Sequence, residues 1–199
     1  MNTTEDLNLD GNYWSNRYDD GTAVWDLGVV SPPLKNYIDQ LPGKNIRILI
    51  PGCGNTHEAD YLLKLGFTDI TVIDIAPALV AQLKEKYKGD QEIKIILGDF
   101  FEHSGAYDLI LEQTFFCALD PALRKNYIAK MYELLSPDGK LVGVLFNRQF
   151  EEQGPPFGGD KDEYAPMFAN NFIFKTFEPC YNSFIKRKDS ELFINLVKK

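Results

Sequence analysis

The chain contains 199 residues, which is enough for one substantial hydrophobic core and predicts a single domain spanning 1–199. Its apolar content of 44% and aromatic content of 13% exclude a disordered chain. The formal net charge of -8 disfavours a nucleic-acid partner, because phosphate-binding surfaces usually need clustered Lys and Arg. No apolar run reaches the length of a membrane span, and the polar N-terminus lacks a signal-peptide pattern.

The cysteines and histidines limit the chemistry that the chain can perform. Cys53, Cys117 and Cys180 are too far apart for a CxxC motif, and their odd number favours a reducing compartment. A zinc site or a Ser/His/Asp triad would have to use His57 or His103, the two histidines of the chain. We therefore expect a cytoplasmic protein with no metal and no membrane partner.

The predicted elements alternate between strand and helix over most of the chain. An aromatic segment at 12–27 precedes a short helix after Pro33. Strands are predicted at 46–51, 70–75, 93–99, 107–113 and 140–147, with helices at 57–66, 77–89 and 121–135. A Gly/Pro-rich loop at 148–163 follows, and then two strand-like runs, 172–181 and 190–199, flank a polar turn in which Lys186–Lys188 are expected to be solvated. This order predicts a doubly wound α/β fold: a mostly parallel seven-stranded sheet with helices on both faces and a C-terminal antiparallel hairpin.

Two predicted strand ends carry residues that suit a nucleoside. The loop after the first strand contains Gly52 and Gly54, which let the backbone approach a ligand closely, although His57 replaces the third glycine of a dinucleotide motif. Asp74 ends the second strand, where a carboxylate can accept both hydroxyls of a ribose. The alternatives are a plain turn at the glycines and a helix cap at Asp74.

The third predicted strand ends in Asp99 and Phe100. A carboxylate followed by an aromatic ring can hydrogen-bond an adenine amino group and cover the base. The alternative is an ordinary strand-end turn with a core phenylalanine. The three strand ends together resemble the class I S-adenosylmethionine-dependent methyltransferases over about residues 46 to 147.

Further motifs extend this resemblance over nearly the whole chain. The spacing of Trp14, Tyr18 and Trp25 looks like the thiopurine methyltransferase family, in which an aromatic N-terminal segment closes over the cofactor. Thr114-Phe-Phe-Cys-Ala-Leu119 and Gly154-Pro-Pro-Phe157 are similar to its halide/thiol methyltransferase branch.

The resemblance implies a Rossmann-like methyltransferase fold, S-adenosyl-L-methionine as cofactor and S-adenosyl-L-homocysteine as product. It also implies that about residues 1–30 form a lid. Gln113 stands where tyrosine is common in that branch, and it is expected at the amino-acid end of the cofactor. The expected cofactor contacts are Trp14, Tyr18, Trp25, Gly52, Asp74, Asp99, Phe100 and Gln113, and the expected substrate contacts are Trp25, Phe157 and Arg148.

The function that follows is in-line methyl transfer to a small soft nucleophile: a thiol, hydrosulfide, thiocyanate, halide or thiopurine-like thiol. We assign no catalytic residue, because an acceptor that arrives ionised needs no base; Cys117, in an apolar run, is interpreted as an inert thiol. The alternatives are methyl transfer to RNA, protein or another small molecule, and a non-catalytic nucleoside-binding module. The oligomeric state is left open, with a monomer favoured.

Overall fold

Seven strands form one central sheet in the computed structural model, which describes residues 8–151 and 154–199. The strands are β1 (Ile48–Pro51), β2 (Ile70–Asp74), β3 (Ile93–Leu97), β4 (Tyr107–Gln113), β5 (Leu135–Phe146), β6 (Phe172–Pro179) and β7 (Glu191–Lys198). Their order is β3-β2-β1-β4-β5-β7-β6. The first five in this order are parallel, and β7 is antiparallel to both of its neighbours. The predicted α/β fold and its C-terminal hairpin are confirmed, with β7 inserted between β5 and β6.

Helices connect the strands on both faces of the sheet. They are α1 (Gly11–Asp19), α2 (Pro32–Ile38), α3 (His57–Lys64), α4 (Pro77–Lys86), α5 (Arg124–Leu134) and α6 (Lys161–Phe168). Helices α2 and α4 begin with proline, whose fixed φ suits the first helical position. Asp10 caps α1 by accepting two backbone N–H groups of its first turn, and Asp160 caps α6 by accepting the N–H of Glu163.

Three predicted boundaries need correction. The predicted loop at 148–163 ends early, because the cap at Asp160 starts α6. The predicted helix at 121–135 opens with a 3₁₀ turn, Pro121–Leu123, before α5. The predicted strand at 140–147 begins earlier, since Leu135 already pairs with Tyr107 before the register shifts.

The sheet separates two buried apolar clusters. Ile48 and Ile50 belong to one cluster and Leu49 to the other, because successive side chains of a strand point to opposite faces. Both faces are covered by helices, which accounts for the nearly continuous apolar sequence of β1 and β2. Asp74 and Gln113 lie at the carboxyl ends of β2 and β4.

The N-terminal segment packs over that edge of the sheet. Helix α1 lies against α4, and the Ser15 hydroxyl accepts the Ala78 N–H over 3.4 Å. Gly11 lies so close to Ile75 that a Cβ there would sit 2.4 Å from its carbonyl oxygen. Residues 1–7 of the expected lid lie outside the described residues. Within the two described ranges, no helix has both the length and the apolar character needed to cross a membrane.

Candidate active site

A cavity of about 490 Å³ opens at the carboxyl ends of the parallel strands. Its size falls in the range of small-molecule sites, and apolar side chains dominate its walls. The structure brings together on these walls most of the residues expected to hold a cofactor: Trp14, Tyr18, Trp25, Gly52, Asp74, Asp99 and Phe100.

The loop between β1 and α3 brings backbone to the cavity. Gly52 and Gly54 have φ of 54° and 52°, in the left-handed region that favours glycine. A Cβ on Gly52 would lie 2.2 Å from the ring of Phe115, which follows β4. Glycine at position 52 is therefore required by both the backbone turn and the close approach of Phe115.

Asp74 combines the two interpretations that the sequence left open. One carboxylate oxygen accepts the N–H of Ala76, the residue that precedes α4, over 3.0 Å. The other accepts the N–H of Gly54 over 3.1 Å and so links β2 to the glycine loop. Burial raises the pKa of Asp74, while these N–H groups act to lower it. The side chain also lines the cavity, so the cap and the ligand-facing carboxylate are the same group.

Three aromatic side chains of the N-terminal segment form one wall. The ring of Trp25 packs edge-on against Trp14 at 5.4 Å and against Tyr18 at 5.7 Å between centroids. The Trp25 indole Nε1 donates to the Tyr18 hydroxyl over 3.3 Å. Burial, together with the negative charge of Asp74, raises the pKa of Tyr18, which therefore stays protonated.

Asp26 links the aromatic wall of the N-terminal segment to the glycine loop through hydrogen bonds. It accepts the Gly28 N–H over 2.7 Å, contacts His57 Nε2 over 2.7 Å and receives a hydrogen bond from the Asn55 amide. Burial acts to raise the pKa of Asp26, but the hydrogen bonds from Asn55, Gly28 and His57 outweigh it and lower the value. The contacts join the segment before α2 to the start of α3.

Arg187 is a site residue that the sequence analysis placed in a solvated turn. It is only 8% exposed and lines the cavity, whereas its neighbours Lys186 and Lys188 are exposed. Its guanidinium donates to the Trp25 carbonyl oxygen over 2.6 Å, lies 3.4 Å from Glu191, and sits over the ring of Phe146 at 5.4 Å. A run of three cations gives no sign of which one points inward; the 3₁₀ turn at Ile185–Arg187 decides it.

The end of β4 leaves a polar side chain without a partner. Both the nitrogen and the oxygen of the Gln113 amide are buried and make no hydrogen bond within the described residues. They line a side pocket of about 40 Å³ that adjoins the cavity beside Gly52 and Tyr18. Thr114 follows with φ of 62°, a conformation that is uncommon for threonine and costs free energy. Buried amides of this kind usually have partners, so the pocket fits a polar ligand group.

Of the three expected substrate contacts, Trp25 lines the cavity, whereas Phe157 and Arg148 are not among the described residues that do so. Arg148 pairs by a β-bridge with Gly159, and its guanidinium lies over Phe150 at 4.9 Å, which holds it at the bridge. The Phe157 N–H donates to the Cys117 carbonyl oxygen over 2.7 Å. Pro155 and Pro156 of the same loop line the cavity instead.

The third strand end serves both the core and the cavity. Asp99 accepts the N–H of Phe101 over 2.8 Å. Phe100 is buried and packs on Phe115 at 5.1 Å between centroids. Nearby, burial raises the pKa of the Cys117 thiol to about 12, which fits the predicted inert thiol. No cluster of three or more metal-ligating side chains occurs within the described ranges.

The fold and the site define a class I S-adenosylmethionine-dependent methyltransferase. The structure superimposes on the 1,6-didemethyltoxoflavin-N1-methyltransferase of Burkholderia thailandensis, solved with S-adenosylhomocysteine, with a TM-score of 0.74 and 20% identity, covering 94% of this chain and 86% of that one. It also superimposes on a TehB-like SAM-dependent methyltransferase from Corynebacterium glutamicum (TM-score 0.68, 18% identity), covering 95% of this chain and 98% of that one. At these identities the likeness shows the fold.

The chain belongs to the thiopurine S-methyltransferase family, whose pattern it matches over residues 9–192. It is 30% identical over 161 residues to a probable thiol methyltransferase 2 of Arabidopsis thaliana, covering 77% of this chain and 70% of that protein. It is 29% identical over 149 residues to thiocyanate methyltransferase 1 of Brassica oleracea, covering 72% of this chain but 66%, just under two thirds, of that protein. A thiopurine S-methyltransferase of Vibrio parahaemolyticus is 26% identical, with 80% and 82% covered.

Proposed function

We propose that the protein transfers the methyl group of S-adenosylmethionine to a small soft nucleophile that arrives as an anion: a thiolate, hydrosulfide, thiocyanate or halide. The observation that carries the proposal is the buried guanidinium of Arg187 in an otherwise largely apolar cavity wall with Phe146, Pro155 and Pro156. The guanidinium is paired with Glu191 at 3.4 Å, yet it also faces the cavity, where its planar set of N–H donors suits an anionic ligand. The relatives include a thiocyanate methyltransferase and a probable thiol methyltransferase, whose names agree with this acceptor class.

The remaining walls suit the cofactor, which supplies an activated methyl group on a sulfonium. Asp74 would accept the ribose hydroxyls, and Asp99 with Phe100 would hold the adenine. Gln113 would bind the amino-acid end, because its amide lies beside the glycine loop and has no hydrogen-bond partner in the described part of the chain. Trp14 and Tyr18 would cover the sulfonium, a cation–π contact worth about 0.5–2 kcal/mol.

The acceptor side needs alignment and the removal of water. Holding the nucleophile in line with the methyl group accounts for about 7–11 kcal/mol of barrier lowering. Trp25 would form the acceptor wall together with Arg187, whose hydrogen bond to the Trp25 carbonyl fixes their relative position. An anionic acceptor requires no general base, and we assign none.

We also propose a compartment, an oligomeric state and a partner class for the enzyme. We place it in the cytoplasm, acting as a monomer on a small-molecule acceptor, with residues up to about 30 as its lid and without a nucleic-acid or membrane partner. The free thiols of Cys53, Cys117 and Cys180 suit a reducing compartment.

An acceptor screen tests the proposal. Purified protein with S-adenosylmethionine is incubated with hydrosulfide, thiocyanate, iodide, an aryl thiol and 6-mercaptopurine, and the methylated products are measured by gas or liquid chromatography. We expect turnover with at least one of these acceptors, in proportion to enzyme. Transfer of labelled methyl only to RNA or protein, or tight S-adenosylhomocysteine binding without any turnover, would overturn it.

A further inference from the structure

Glu112 is a charged side chain that the proposed function does not use. It lies next to the end of β4 and is 0% exposed. Its carboxylate accepts the N–H groups of Phe115 over 2.8 Å and Phe116 over 3.1 Å, and the hydroxyl of Tyr127 over 2.5 Å. Burying a carboxylate costs free energy unless its oxygens accept hydrogen bonds, and here three donors form hydrogen bonds to Glu112.

The N–H groups that Glu112 holds belong to the segment that separates the glycine loop from the acceptor wall. Phe115 fills the space beside Gly52, where a Cβ would meet its ring at 2.2 Å. Phe115 also packs on Phe100, so one ring contacts two of the strand ends. The cavity is lined further along the same segment by Cys117 and Ala118.

We propose that Glu112 is a positioning residue, whose ionised carboxylate holds Phe115 and Phe116 so that the segment from Thr114 to Ala118 aligns acceptor and cofactor. The identity of the aligned molecules, acceptor and cofactor, rests on the proposed function, whereas the contacts of Glu112 with Phe115, Phe116 and Tyr127 do not. Gly143 of the neighbouring strand leaves room for Glu112, since a Cβ there would lie 2.4 Å from the Glu112 Cβ.

The arrangement makes the alignment sensitive to pH. Burial raises the pKa of Glu112 to about 7, although the hydrogen bonds from Tyr127, Phe116 and Phe115 act to lower it. The titratable groups facing it are the Tyr127 hydroxyl of α5 and the Cys117 thiol, and burial raises the pKa of both, so neither ionises near neutrality. Protonation replaces the charge-assisted hydrogen bonds from Phe115 and Phe116 with weaker neutral ones, and a proton on the oxygen that faces Tyr127 reverses the direction of that contact.

Nuclear magnetic resonance tests the contacts without any catalytic assay. In protein labelled with ¹⁵N-phenylalanine, the amide signals of Phe115 and Phe116, assigned through Phe→Leu variants, should shift together with a midpoint near pH 7. Glu112→Gln should abolish this shared titration, whereas Glu133→Gln, at an exposed position on α5, should leave it unchanged.

Tyr127→Phe gives a second variant that keeps the carboxylate. Removing the hydroxyl donor raises the pKa of Glu112, so the shared midpoint should move up by about one pH unit. Any of three results would overturn the proposal. They are wild-type amide signals that do not change with pH, a titration that persists in Glu112→Gln, and a midpoint that does not move in Tyr127→Phe.

Kinetics with iodide, which carries no titratable proton, connect the contacts to the reaction. The kcat of the wild type should fall on the acid side with the same midpoint as the amides. Glu112→Gln should lower kcat about tenfold, leave the KM for the cofactor within about threefold and remove the acid limb. An unchanged kcat, or a KM that rises alone, would contradict positioning. No turnover of any acceptor refutes the proposed function, whereas the amide titration still decides the role of Glu112.

Discussion

Arg187 donates a hydrogen bond from Nη2 to the carbonyl oxygen of Trp25 over 2.6 Å, joining the C-terminal hairpin to the N-terminal aromatic segment. The two residues are 162 positions apart, and both line the cavity. One guanidinium therefore joins the N-terminal segment to the hairpin at the cavity wall, and under the proposed function it also contacts the anionic acceptor. Its removal should affect both roles at once.

Arg187→Met keeps much of the length of the side chain but removes the charge and the donors. We expect kcat/KM for an anionic acceptor such as thiocyanate to fall about 10- to 100-fold, since a hydrogen bond to or from a charged group contributes about 1.5–3 kcal/mol. The loss should be smaller for a neutral thiol assayed below its pKa. Steady-state kinetics with both acceptors measure the difference.

Lys188→Met is the matched control, because Lys188 directly follows Arg187 and is exposed. It should change kcat/KM less than twofold for either acceptor. Equal losses in the two variants would show that the effect is long-range charge and not the cavity contact.

Asp74→Asn should weaken cofactor binding. The amide has nearly the same size as the carboxylate, but only its oxygen accepts hydrogen bonds, while Gly54 and Ala76 both donate to Asp74. We expect the Kd for S-adenosylhomocysteine, measured by isothermal titration calorimetry, to rise about 10- to 100-fold. Asp69→Asn, at an exposed position immediately before β2, should leave it unchanged. Equal Kd values for Asp74→Asn and the wild type would remove Asp74 from the site.

The strand ends of the site were predictable from sequence because they follow from the order of elements. Apolar strands that end at or just before Gly52, Asp74 and Asp99 bring these residues to one edge of any parallel sheet of this kind, whatever the details of the helices. The hairpin was predictable for the same reason, since two short strand patterns flank one polar turn.

The acceptor side was less predictable, because it depends on which way single side chains of irregular segments point. Arg187 turns inward within one 3₁₀ turn, while Arg148 is held outside by its bridge with Gly159. Glu112 lies in an apolar strand, and its role needs the tertiary contact with Tyr127, 15 residues away. The charge pattern and hydrophobic periodicity of the sequence do not predict these side-chain orientations.

Gly52→Ala should destabilise the protein through two effects. The left-handed backbone costs an alanine about 1–2 kcal/mol, and the methyl group would collide with Phe115 at a further cost of about 1–3 kcal/mol. Gly66→Ala separates these effects, because Gly66 has φ of 83° but nothing within 4 Å of an added Cβ. We expect chemical denaturation to show a larger loss for Gly52→Ala than for Gly66→Ala. Equal losses of unfolding free energy in the two variants would mean that Phe115 moves aside at no measurable cost.

Asp26→Asn should make the stability of the protein less dependent on pH in the acid range. The folded pKa of Asp26 lies below its ordinary value, so its ionised form stabilises the fold above the unfolded pKa of 3.8, and this contribution disappears as the pH falls through the folded pKa. The Tm of Asp26→Asn should therefore lie below that of the wild type at neutral pH, and the two values should converge in acid. Asp20→Asn, at an exposed position after α1, should follow the wild type throughout. A Tm difference that is the same at neutral and acid pH would show that the contacts of Asp26 with His57 and Asn55 act through packing and not through its charge.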